Sequence, residues 1–71
     1  MYKYLKLLDR QHKGQILRVQ ENPHKEEMYD PGEKAWKVVS IWLEYVWVEG
    51  DYFGMYETLT KKEVDKLINA T

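Results

Sequence analysis

The sequence predicts a small α+β domain: an antiparallel sheet of four or five short strands in meander order, with one C-terminal α-helix packed on it. A small SH3-like barrel is the alternative. Three observations carry this expectation. Short runs rich in β-branched and aromatic residues recur between clusters of turn residues. The only strong helix signal lies at the end of the chain, at Thr60 to Glu63. The chain has 71 residues and no cysteine, so one folding unit, residues 1–71, must be held by packing rather than by disulfides.

Taken in order, "YKYLKLL" (Tyr2 to Leu8) and "QILRV" (Gln15 to Val19) read as two strands. The polar "DRQHKG" between them ends on Gly14, where a positive φ costs little, so the pair forms a hairpin. "ENPHKE" is a loop, because Pro23 has no N–H for a ladder, and Glu26 to Tyr29 is expected to form a short edge strand. "DPG" (Asp30 to Gly32) is turn chemistry, with Pro31 presetting φ and Gly32 free to turn left-handed. It leads into a strand at "KAWKVV".

"IWLEYVWVEGDYFGMY" (Ile41 to Tyr56), together with Trp36, holds seven of the ten aromatic residues. Six of the eight residues from Ile41 to Val48 are β-branched or aromatic, which favours a strand. A short helix capped by Ser40 is the other reading. As a strand it folds back at Gly50-Asp51, pairing Val48 with Phe53 and Trp42 with Leu59. That register also sets Glu44 against Glu57, a like-charge pair that asks for a bulge or another register. Either way both sides of the segment are too apolar to face water. Barrel closure, a second copy or a partner would then cover the face that the helix leaves open.

The C-terminal helix is expected from about Lys61 to Asn69. Thr60 and Glu63 have capping-box spacing, Leu59 and Val64 stand at staple positions, and Val64, Leu67 and Ile68 form an apolar stripe.

Net charge is −1, giving no global pull toward nucleic acid or an acidic membrane. Its distribution is uneven: residues 1–20 carry Lys3, Lys6, Arg10, Lys13 and Arg18 against Asp9 alone. These five cations, with Tyr2 and Tyr4, are the candidate nucleic-acid contacts. The aromatic-rich stretch instead carries Glu44, Glu49 and Asp51, an unfavourable background for phosphate. Lack of cysteine, of an apolar run long enough to span a bilayer and of a signal-peptide h-region leads to the expectation of a cytoplasmic protein without membrane contact.

Catalytic chemistry has few carriers. Ser40 is the only serine, no phosphate-cradling motif is present, and "GDYFG" lacks the lysine and following helix that such a loop needs. His24 with Glu26, Glu27, Asp30 and Glu33 reads as a solvated acidic loop rather than a metal site. No enzyme activity, metal or cofactor is expected.

The succession "ILRV", "EEMYDPGEKAW" and "GDYFGMYETLTKKEVDKLI" resembles the layout of small uncharacterised proteins of Gram-positive bacteria and their phages, in which a short sheet ends in an "LTxxE" helix. Arg18, Trp36, Gly50, Tyr56 and Thr60 to Glu63 carry the resemblance. It implies no activity, and it favours an accessory role that modulates a larger protein. The function expected is therefore a protein-interaction module. Its candidate interface is Trp42, Tyr45, Trp47, Tyr52, Phe53 and Tyr56, and its partner is another protein or a second copy in a homodimer.

Overall fold

Strand-forming runs separated by turn residues build a meander at the start of the chain. The computed structural model describes residues 2–69. β1 (Tyr2–Leu7), β2 (Ile16–Gln20), β3 (Lys25–Asp30) and β4 (Ala35–Val38) pair antiparallel in succession. Gly14 closes the first hairpin at φ +86°, its N–H donating to the Leu7 carbonyl at 2.9 Å. In the third turn the left-handed residue is Lys34, at φ +53°, and not Gly32. Asp30 supplies the turn's side-chain bond, accepting the Gly32 N–H at 2.9 Å. Glu26 to Tyr29 lies within β3, an interior strand rather than an edge.

β5 (Tyr56–Leu59) does not follow β4 in space. The sheet order is β4-β3-β2-β1-β5, and β5 pairs with β1, setting Tyr4 against Leu59 and Leu7 against Tyr56. Because β4 and β5 occupy opposite edges, the sheet stays open and does not form a barrel. The chain between them must cross roughly 19 Å, four strand spacings. Residues 39–55 make that crossing.

This corrects the reading of the aromatic stretch. Residues 41–48 form no strand. One helical turn, α1 (Leu43–Val46), occupies the middle, followed by successive turns to Gly54. No hairpin folds at Gly50-Asp51, and the expected Val48–Phe53 and Glu44–Glu57 pairings do not occur. Glu57 instead faces Lys6 across the β1–β5 ladder. Ser40 does not cap the turn, which begins at Trp42 without a side-chain cap. The carboxylate of Glu26, on β3, accepts the N–H groups of Ile41 and Trp42 at 2.8 and 2.7 Å. Glu26 also accepts the Val39 N–H at its backbone carbonyl, so one residue of the sheet directs the chain out over it.

α2 (Lys61–Asn69) begins as the capping box requires. The Glu63 N–H donates to Thr60 Oγ1 at 3.1 Å, and the Thr60 N–H donates to Glu63 Oε1 at 3.0 Å. Val64 is fully buried beside Leu59 in one cluster, as a hydrophobic staple demands.

Alternation along the strands gives the sheet two apolar faces, and each has its own cover. Leu5, Leu7, Leu17 and Val19 point to the first face and pack with Trp42 and Tyr45 of the crossing segment. Ile16, Tyr29 and Leu59 point to the second and pack with Val64, joined by Ile68, Tyr4 and Trp36. The face that α2 leaves open is thus covered by the crossing chain itself. Among the described residues no helix is long and apolar enough to span a membrane.

Candidate functional site

The crossing segment has an inner and an outer side, and α1 sorts them by helical spacing. Trp42 and Tyr45, three residues apart, face the sheet with their rings stacked at 6.3 Å. Tyr56 meets Trp42 edge-on at 4.9 Å. Leu43, Val46 and Trp47, spaced by three and four, share the opposite side. Leu43 is 62% exposed, Val46 41% and Trp47 49%. Val48, Phe53 and Met55 are also exposed, and so is Leu8, whose N–H donates to the Met55 carbonyl at 2.9 Å. Of the exposed large apolar side chains among the described residues, only Val38 and Leu67 lie elsewhere. Such a concentration on one stretch is uncommon on a surface that meets only water.

The six residues of the expected interface therefore separate. Trp42 and Tyr45 are buried in the core, Tyr52 and Tyr56 are half-buried against it, and Trp47 and Phe53 are exposed. Leu43, Val46, Val48, Met55 and Leu8 complete the outer surface, and composition alone did not single them out. The signal that would have found two of them, Leu43 and Val46, is the 43/46/47 spacing that they share with Trp47, which carries meaning only if the turn is helical.

The segment is held by a polar network at its inner side. Asp9 is 1% exposed. It accepts the Tyr45 hydroxyl at 2.5 Å and the His12 N–H at 3.0 Å. His12 Nδ1 lies 2.9 Å from Asp9 Oδ2 and 3.0 Å from the Tyr45 hydroxyl; with Asp9 ionised, Nδ1 carries the proton and donates. The Tyr52 hydroxyl donates to Gln11 Oε1 at 2.6 Å, tying the far end of the segment to the same turn. Burial alone drives the Asp9 carboxyl upward, but the bonds from Tyr45 and His12 outweigh it and hold the group below its ordinary value. Burial and the adjacent Asp9 carboxylate push the Tyr45 phenol well above its own. Tyr45 is thus fixed as a neutral donor to a buried anion, an anchor rather than a nucleophile.

The five candidate nucleic-acid contacts are not brought onto one face. Lys3 sits with Nζ 5.9 Å from the Trp42 ring, on the side of the crossing segment. Lys6 and Arg18 lie on the other face, while Arg10 and Lys13 belong to the β1–β2 turn. The Arg18 guanidinium lies 4.3 Å from the centre of the Tyr2 ring and 4.2 Å from that of Trp36. Its Nε donates to Glu27 Oε1 at 2.9 Å, an oxygen that also accepts the Tyr2 hydroxyl at 3.1 Å. The ion pair with Arg18 holds the Glu27 carboxyl below its ordinary value, against the opposing effect of burial. Arg18 therefore works inside the fold, joining the aromatic rings of the second face.

His24 bridges two carboxylates, with Nδ1 3.0 Å from Glu21 and Nε2 2.7 Å from Glu26. Among the described residues no group of three or more His, Cys, Asp or Glu side chains is arranged to hold a metal ion. In comparisons with known protein families, curated proteins and solved structures, the chain matches none.

Proposed function

We propose that this protein is a non-enzymatic interaction module that binds another protein, or a second copy of itself, through the outer side of the segment joining β4 to β5. The observation that carries the reading is the exposure of Leu43, Val46, Trp47, Val48, Phe53 and Met55 on a single stretch whose inner residues are fully committed to the core. Keeping so much apolar surface in water is unfavourable by about 25 cal/mol for each Å² that a partner would cover. Tryptophan, phenylalanine and methionine are also the types concentrated in interface cores. Oligonucleotide binding is the less favoured reading, because Arg18 is engaged by Glu27 and two rings. A reducing, cytoplasmic setting belongs to the proposal on the strength of the cysteine-free composition.

The test pairs Trp47→Ala and Phe53→Ser with the unaltered chain, in sedimentation velocity and in co-purification from the native host. The double variant should keep its thermal stability and lose either self-association or a stoichiometric partner. A monomer that co-purifies with the same proteins before and after substitution contradicts the reading.

A further inference from the structure

On the sheet face opposite the crossing segment, β1, β2, the turn after β3 and α2 border a cleft of about 410 Å³. This lies in the range of small-molecule sites, roughly 300–1,000 Å³. Ile16, Tyr29, Pro31 and Leu67 supply an apolar lining, and two lysines, Lys6 and Lys13, also line it. Leu67 is the member of the α2 stripe that does not dock: it remains 42% exposed, while Val64 is buried.

The charges around the cleft are unevenly satisfied. Neither Lys6 nor Lys13 makes an ion pair within the described residues. The acids nearby are largely committed: Asp30 accepts turn N–H groups and lies 3.6 Å from Lys37, and Glu63 caps α2. Glu57 stands across the ladder from Lys6 without reaching ion-pair distance. An apolar lining with two unpaired cations is complementary to a ligand with an apolar body and one anionic end.

We propose that this cleft binds a small amphipathic anion, with its hydrocarbon against Ile16, Tyr29, Pro31 and Leu67 and its head group between Lys6 and Lys13. The proposal does not depend on the interaction surface, which lies on the other side of the sheet. Octanoate is the probe, and octylammonium, with a tail of similar length and the opposite charge, is the control. Each is titrated at low ionic strength into ¹⁵N-labelled protein. Octanoate should produce saturable amide shifts at Lys6, Gly14, Gln15 and Leu67, and octylammonium none there. Lys6→Ala with Lys13→Ala should weaken octanoate by about tenfold while leaving the rest of the spectrum in place. Absence of saturable shifts, equal response to both probes, or shifts confined to residues 43–55 would each overturn it. If the double variant does not fold, raising the salt concentration on the unaltered chain replaces it: octanoate affinity must fall, and an unchanged affinity overturns the proposal as well.

Discussion

The Tyr45 hydroxyl donates to Asp9 Oδ1 at 2.5 Å, joining residues 36 apart in sequence. Through this bond the crossing segment is pinned to the β1–β2 turn, and a buried carboxylate receives the donor that makes its burial tolerable. Tyr45→Phe removes the donor while keeping the ring. It should cost about 1–3 kcal/mol, the penalty for leaving a buried polar group short of a partner. Urea unfolding of Tyr45→Phe, Asp9→Asn and the double variant should give a coupling of roughly 0.5–3 kcal/mol. Strict additivity would mean that the bond contributes nothing.

Acid should loosen the domain through two carboxylates. Asp9 and Glu27 are held below their ordinary values of 3.8 and 4.5 in the folded protein. A depressed folded value means that the unfolded chain takes up protons first. The stability from these groups is then fully present above the ordinary values and is lost as pH falls through the folded ones. His24 runs the other way: bonds to Glu26 and then Glu21 raise it above 6.5, so its contribution is present in mild acid and fades as pH rises. His24 is exposed, and its part is small. The melting temperature should thus be nearly level around neutrality and drop below about pH 4.5. Asp9→Asn should flatten that drop, and an equal drop in the variant would exclude Asp9 as a cause.

Gly50 does not serve as a hairpin turn; it lets two parts of the crossing chain touch. A Cβ there would run into the Glu44 carbonyl, which accepts the Tyr52 N–H at 3.2 Å. Because the obstacle is backbone, Gly50→Ala must shift the segment. It should cost about 1–3 kcal/mol, as overpacking does, and disturb the Trp42 environment. Gly14→Ala meets nothing within 4 Å and carries only the strain of φ +86°, about 1–2 kcal/mol. Near-UV circular dichroism should therefore change for the first variant and stay native for the second.

Arg18→Lys tests the second face. Lysine keeps a charge near Glu27 but loses the planar group between Tyr2 and Trp36. A loss of about 1–2 kcal/mol is expected for two cation–π contacts, and no change in the urea midpoint would show the stacking to be incidental.

The local signals of this chain were legible because they act over a few residues. The Thr60–Glu63 capping box forms as its spacing demands, and the Gly14 hairpin closes where its conformational freedom permits. The aromatic stretch misled because β-propensity measures fitness for a half-buried pleated surface, and residues 41–48 are half-buried without being in a sheet. What decided their conformation lies far off in sequence. Glu26 captures the N–H groups of Ile41 and Trp42, Asp9 captures Tyr45, and β5 is called to the free edge of β1. The candidate interface suffered the same fate. One helical turn placed Trp42 and Tyr45 in the core and Trp47 on the surface, a division that a strand's alternation cannot produce.

The crossing segment is core on its inner side, where Trp42 is buried, and open to solvent on its outer side, where Trp47 is half-exposed. Equilibrium unfolding of Trp42→Ala beside Trp47→Ala measures this most directly. Trp42→Ala should lose about 3–5 kcal/mol, and Trp47→Ala should change stability by no more than about 0.5 kcal/mol. Equal losses, or a larger loss at Trp47, would contradict this division and return the segment to a strand with both faces buried.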